Sequence, residues 1–322
     1  MPSKGERFAG CTVALVTLFR DGEIDDEELK RSIDWLIAEG VPALSPAGTT
    51  GESPTLTHDE HRRLIAVVVE QAAGRARVLA GTGSSATAEA VRLTRFAARA
   101  GADGALVVAP YYNRPSQEGL YAHFGRIAEA AELPLVLYNV PSRTGCNLEP
   151  ATIERLARIG NVVAIKEAGG SLDQVSEILA RTDLTVLSGD DALTLPMLAI
   201  GAEGVVSVAA NLVPGDVIAL LDAFRRGDLA EARRHHARLF PLCRALMGVA
   251  ANPIPVKTAL ALLGRGTGEL RLPLCPPDAH GREALRRSLD RHGLRVREDR
   301  PSDNNRRTRS HDLPALETRD ES

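Results

Sequence analysis

Eight short apolar runs, each followed by a longer amphipathic stretch, constrain this chain more than any other feature. The runs are Thr12–Val16, Ala43–Ser45, Arg77–Ala80, Gly104–Ala109, Leu135–Tyr138, Val162–Lys166, Thr185–Ser188 and Gly204–Val208. They are rich in Val, Leu and Ile and bounded by Gly, Pro, Asn or Asp, as parallel strands buried on both faces are. The stretches after them carry helix signals. Asp25–Glu39 opens with an acidic turn and stops before Gly40. Thr57–Ala73 starts at THDE, a capping-box spacing, and stops before Gly74. Helices are also expected over Thr87–Ala100, Gln117–Ala131, Glu149–Ile159, Leu172–Arg181, Ala192–Ile200 and Pro214–Arg226. Eight strand–helix units with right-handed crossovers close into an α/β (β/α)8 TIM barrel. The rival, an open doubly wound sheet, usually carries a phosphate loop after its first strand. VALVTLFRDGE has no GxGxxG or Walker pattern there.

The barrel is expected over residues 1–227, with an appended C-terminal helical region over 228–294. From Arg295 to Ser322, 14 of 28 residues are charged, seven of each sign, and none is aromatic. Such a segment buries too little to offset its ordering entropy and is expected to be a disordered polar tail.

Composition excludes several classes of partner. The net charge is −3 and aromatics make up 3%, which argues against nucleic-acid binding. The four cysteines, Cys11, Cys146, Cys243 and Cys275, show no CxxC spacing, so neither a disulfide scaffold nor a zinc site is expected. MPSKGERFAG has no apolar leader region and no long apolar run occurs, so the expectation is a cytoplasmic protein without a membrane span. Among 39 basic residues only Lys4, Lys30, Lys166 and Lys257 are lysines. Each is therefore open to individual questioning.

Active groups in a TIM barrel sit at the C-terminal ends of the strands. Lys166 ends the apolar run Val162–Ile165. Removing water favours a neutral, nucleophilic amine, which Schiff-base chemistry on a carbonyl requires. The alternative is a lysine that leaves the barrel end or pairs with Glu167. Lys4 lies in a polar terminus, Lys30 on an exposed helix face, and Lys257 outside the barrel strands. Tyr138 ends the preceding strand, close enough for its phenol to move a proton. AGTTGE, with Thr49 and Thr50, offers hydroxyls and backbone N–H groups to a carboxylate. Tyr111 and Tyr112 are adjacent in a chain with four tyrosines. One is expected at the site and the other at a subunit contact. Arg143, in a Pro- and Gly-rich loop, suits a substrate carboxylate. His58, His61, His235 and His236 lack a matching carboxylate frame for a metal.

GTTGES, PYYNRPSQEGLY, LYNVPSRTGC, IKEA, LSGDDA and NPIPVK occur in this order, and together they resemble the 4-hydroxy-tetrahydrodipicolinate synthase (dihydrodipicolinate synthase) family from about Ala9 to Leu294. The resemblance implies a class I aldolase-type lyase without cofactor or metal, acting in lysine biosynthesis by the diaminopimelate route. Lys166 would form a Schiff base with pyruvate, and the enamine would attack L-aspartate 4-semialdehyde. Tyr138, Thr50 and Tyr112 would relay protons, with Tyr112 donated by a neighbouring subunit of a homotetramer built as a dimer of dimers. Thr49 would hold that network and the substrate carboxylate, and Arg143 the semialdehyde carboxylate. Gly189 and Val206 match positions lining the pyruvate pocket, and Tyr111 looks like an interface residue. Ser53, His58, His61, Glu89 and Tyr111 match a lysine feedback site. Ser85 stands where lysine-sensitive members often carry Asn, and Pro54 is a further departure, so feedback is expected to be weak. A sister lyase acting on a sugar acid shares the Schiff base. Arg143 weighs against it, because a polyol does not need that cation.

Overall fold

In a computed structural model, residues 3–297 are described. Eight parallel strands form a closed barrel: β1 (Gly10–Ala14), β4 (Ala43–Ser45), β5 (Arg77–Gly81), β6 (Gly104–Val108), β7 (Leu135–Asn139), β8 (Val162–Glu167), β9 (Thr185–Ser188) and β10 (Gly204–Ser207). The TIM barrel is as expected. Two strands of two residues, β2 (Phe19–Arg20) and β3 (Glu23–Ile24), make a separate hairpin that periodicity over so short a run does not reveal. The barrel closes where β1 meets β10, with Gly10 opposite Gly204. A Cβ on Gly204 would lie 2.2 Å from the Gly10 carbonyl oxygen, so this closing contact requires glycine.

The outer helices are α1 (Asp26–Ala38), α2 (His58–Ala72), α3 (Thr87–Ala100), α4 (Gln117–Ala128), α6 (Pro150–Ala157), α7 (Leu172–Arg181), α8 (Thr194–Ala199) and α9 (Pro214–Arg225), with a one-turn α5 (Pro141–Thr144) after β7. The capping box at THDE forms as read. Thr57 Oγ1 accepts from the Glu60 N–H at 3.2 Å, and Glu60 Oε2 accepts from the Thr57 N–H at 2.8 Å.

Some boundaries differ from the sequence reading, each for a local reason. The first strand runs over Gly10–Ala14 rather than Thr12–Val16. Leu15 and Val16 stay buried beyond the strand; the Leu15 N–H still donates to the Ser45 carbonyl at 3.0 Å, whereas the Val16 N–H turns to Asn211 Oδ1. Apolarity reports burial, not which carbonyl a backbone N–H meets. Helix α4 stops at Ala128, short of Ala131, and Asn161 Nδ2 donates to the carbonyls of Ala128, Ala131 and Leu133. The stretch expected as one helix from Ala192 begins as a 3-10 turn, Asp191–Leu193. Asp191 is buried there, and its carboxylate accepts from Ser207 Oγ and from the Val208 and Ala209 N–H groups. Desolvation pushes its pKa up, and these bonds oppose the rise.

The C-terminal helices are α10 (Leu229–Gly248), α11 (Ile254–Leu262) and α12 (Ala279–His292). Helix α12 docks on α9 through His292 Nε2 and Asp216 Oδ2, 2.6 Å apart. Helix α11 is buried along nearly its whole length and reaches the loops that follow β4 and β10. The tail expected from Arg295 lies, from residue 298 onward, outside the described residues. Its first three residues continue along the protein, with Val296 against the core and the Arg297 N–H donating to the Leu262 carbonyl at 2.9 Å. Among the described residues, no helix is long and apolar enough to cross a membrane.

Candidate active site

Strand pairing places Lys166 opposite Tyr138, because β7 and β8 run in parallel register from Val136↔Ala164 to Asn139↔Glu167. Lys166 is 6% exposed, and its Nζ lies 4.0 Å from the centre of the Tyr138 ring. Alternation along β8 sends Glu167 to the other face. There Glu167 accepts from Asn139 Nδ2 at 3.0 and 3.2 Å, from the Gly169 N–H at 2.6 Å and from Gln174 Nε2 at 3.2 Å. Burial raises its pKa, and those donors restrain the rise. A Lys166–Glu167 pair, the bland reading of IKEA, does not form.

The four lysines now separate by their partners. Lys4 Nζ donates to the carbonyls of Ala157 and Ile159, both at 2.7 Å. Lys30 pairs with Glu27 on the surface. Lys257 is 1% exposed and paired with Glu52. Among the described residues, Lys166 has no hydrogen-bond or ion-pair partner, only the ring face. It is the one lysine whose amine is uncommitted.

A cavity of about 240 Å³ opens at the C-terminal ends of β4 to β7. Tyr138, Thr49 and Arg143 are on its wall, together with Gly48, Gly83, Val108 and Thr144. Lys166 is not on the wall, but it touches Tyr138, which is. Thr50 is 4% exposed, and its Oγ1 accepts from Asn252 Nδ2 at 3.0 Å. Arg143 Nη2 donates to the Asn252 carbonyl at 3.2 Å. Neither Asn252 contact is legible in the sequence, because no local pattern in NPIPVK ties residue 252 to residue 50 or to residue 143.

Tyr112 is 93% exposed, with φ of +76°. Its N–H is anchored to the Thr144 carbonyl at 3.2 Å while the ring stands away from the protein. Within one chain it does not join Tyr138 and Thr50. Gly189 directly follows β9 and Val206 lies within β10, both off the cavity wall. The Gly189 N–H donates to the Glu167 carbonyl at 2.8 Å, and a Cβ there would come within 2.6 Å of Ala168 Cβ. Val206 is buried opposite Thr12.

The residues matched to a feedback site do not share one cavity. Ser53 and Tyr111 line the cavity at the strand ends. His58 Nδ1 and Glu89 Oε1 are 3.0 Å apart and line a separate surface cleft with Arg62, Arg92, Arg95 and Arg99. His61 is buried, its Nε2 2.8 Å from the Gly81 carbonyl, and desolvation pulls its pKa down. The Ser85 carbonyl accepts from Asn113 Nδ2 at 3.0 Å. Among the described residues, no group of three or more His, Cys, Asp or Glu is placed to hold a metal ion.

The chain is similar throughout this architecture to known proteins. Residues 7–292 match the model of the dihydrodipicolinate synthetase family. A 4-hydroxy-tetrahydrodipicolinate synthase of Nitratidesulfovibrio vulgaris is 54% identical over 291 residues, spanning 89% of this chain and 99% of the relative. One of Pelobacter propionicus is 52% identical over 289 residues, with the same coverage. The crystal structure of dihydrodipicolinate synthase from Aquifex aeolicus superposes with a TM-score of 0.89 at 46% identity, covering 90% of this chain and all of that one. Similarity at this level, along nearly the full length of these relatives, shows that the chain belongs to the dihydrodipicolinate synthetase family.

Proposed function

We propose that Lys166 condenses pyruvate with L-aspartate 4-semialdehyde to give 4-hydroxy-tetrahydrodipicolinate, in the diaminopimelate route of lysine biosynthesis. The observation that carries this reading is the uncommitted amine of Lys166, buried at the end of β8 against Tyr138. An amine already spent on a carboxylate, as in Lys257, has no free lone pair for a carbonyl.

Nζ adds to C2 of pyruvate and water leaves, forming an imine. Loss of a methyl proton gives the enamine. Its C3 attacks the aldehyde carbon, a carbon–carbon bond forms, and the aldehyde oxygen takes a proton. The amino nitrogen of the semialdehyde then adds to C2 and displaces Nζ, which closes the ring and frees Lys166. Tyr138, Thr50 and Tyr112 carry the protons. Thr49 and the AGTTGE backbone hold the pyruvate carboxylate, with Gly189 and Val206 shaping that end. Arg143, on the cavity wall, binds the semialdehyde carboxylate bidentately.

Tyr112 reaches the relay of a neighbouring subunit in a tetramer of paired dimers. Its exposure and left-handed backbone, which aim the ring away from its own chain, support that assignment. Ser53, His58, His61, Ser85, Glu89 and Tyr111 form a lysine-responsive site across the same contact, weakly sensitive because of Ser85. The protein acts in the cytoplasm.

Borohydride reduction with pyruvate tests the central step. A covalent adduct mapped to Lys166, with turnover of aspartate semialdehyde lost in Lys166→Ala, is expected. An adduct on any other lysine overturns the assignment.

A further inference from the structure

The relay proposed above contains a hydroxyl whose direction needs fixing. A threonine hydroxyl has one proton to give and two lone pairs to receive. If it is free to rotate, it spends part of its time aimed the wrong way. Thr50 is not free in this respect. Asn252 Nδ2 donates to Thr50 Oγ1 at 3.0 Å, and no other hydrogen bond is recorded for that oxygen among the described residues. With an N–H in one acceptor lobe, the O–H cannot turn back toward the amide. Its proton is left for a group on the other side.

Asn252 is 7% exposed and belongs to neither loop it touches. Its side chain holds Thr50 on the loop after β4, and its carbonyl receives Arg143 Nη2 from the segment after β7. It sits just ahead of α11, and α11 is fastened to the same β4 loop a second time. Lys257 Nζ pairs with Glu52 Oε1 and lies 4.2 Å from the centre of the Phe19 ring. Glu52 Oε2 accepts the Arg271 N–H at 3.2 Å. Thr50 and Glu52 are two residues apart, Asn252 and Lys257 five. Two bonds between the same two segments set the loop against the helix in both translation and rotation.

We propose that Asn252 is a positioning residue of the condensation: its amide directs the Thr50 hydroxyl to give its proton toward the reacting site, and the Lys257–Glu52 pair holds that amide in register. The inference rests on the condensation reading above, with Thr50 in the relay.

Asn252→Asp tests it, because this change reverses the polarity of one hydrogen bond at nearly constant shape. An ionised carboxylate only accepts, so it captures the Thr50 proton. A protonated one can donate and restores the original direction. Burial favours the protonated acid, and Arg143 bonds the main chain of residue 252 rather than its side chain. At pH 8.5, kcat is expected to fall by about 10²-fold, the size of a lost proton-transfer group, with KM for pyruvate within about threefold of the parent. The deficit relative to the parent is expected to shrink at least about tenfold by pH 6 as the carboxyl protonates. In Asn252→Ala the deficit does not change with pH. A deficit in Asn252→Asp that is flat with pH, or one carried by KM, overturns the proposal. If Asn252→Asp does not fold, the solvent isotope effect on kcat of Asn252→Ala decides. A rise supports an unaimed hydroxyl and no change overturns it. Borohydride trapping and turnover of the unaltered protein are measured first. Their absence overturns both this inference and the condensation, whereas a flat pH response with trapping intact overturns the role of Asn252 alone.

Discussion

Lys257 and Glu52, 205 positions apart in the chain, form an ion pair whose side chains are 1% and 0% exposed. Desolvation lowers the Lys257 pKa, and the Glu52 carboxylate opposes that fall. A pair so placed contributes little net stability but is costly to break from one side. Lys257→Met is expected to destabilise the protein by about 3–5 kcal/mol, because Glu52 is left buried and unpaired. Lys257→Met combined with Glu52→Gln recovers much of that loss. Chemical denaturation of the two variants checks this, and equal stability of the single and double variants would contradict it.

A second tie joins the loop after α11 to the start of α2. Arg271 Nη1 and Nη2 donate to the two carboxylate oxygens of Glu60 at 2.8 and 2.5 Å. This fork holds the Glu60 pKa down to about 2 from its usual 4.5. The native state therefore binds this proton less readily than the unfolded chain. The stabilisation is full above pH 4.5 and is lost as pH falls through 2. Glu60→Gln is expected to lower Tm at pH 7 and to match the parent near pH 2. A Tm difference that persists unchanged at low pH would show the pair is not its cause.

Sharing of Tyr112 between subunits predicts complementation. Tyr112→Phe and Arg143→Ala are each expected to be nearly inactive. In randomly mixed dimers one site in four combines an intact Arg143 with a partner's intact Tyr112, so about a quarter of the parent activity returns. Unfolding and refolding the two variants together, then assaying turnover, reads this directly. No recovery would place Tyr112 within its own chain's chemistry or outside it altogether.

Closure of the barrel has its own test. A Cβ on Gly204 meets the Gly10 carbonyl oxygen at 2.2 Å, backbone against backbone. Gly204→Ala is expected to destabilise by about 3 kcal/mol, the upper range for overpacking, because neither strand can retreat without breaking its ladder. Gly160→Ala, where a Cβ meets nothing within 4 Å, serves as the control.

The barrel was legible because burial on both faces writes each strand as an apolar run, and α2 was legible because Thr57 and Glu60 are spaced as a capping box. Lys166 stood out because lysine is rare here and this one ends a strand. Contacts between segments distant in sequence were not legible. Asn252 to Thr50 spans 202 positions, and no period or spacing encodes it. Lys257 reads from the sequence as a lysine outside the barrel strands, and nothing in its neighbourhood points to its partner, two residues beyond Thr50. Tyr111 was expected at a subunit contact, yet within one chain it lines the cavity beside Tyr138 and Arg143. A tyrosine pair shows that both rings matter without showing which way each points.

The late position of Asn252 and Lys257 also bears on synthesis. A ribosome that has released the chain only through Ser207 has delivered every barrel strand and Lys166, but not the residues that set the β4 loop. The bonds that fasten that loop wait for some fifty more residues, however quickly the barrel itself closes. Recombining barrels of this family at the boundary after β10 would exchange strands while leaving behind the amide and the amine that meet Thr50 and Glu52. An exchange that keeps these bonds has to move both ends of them together.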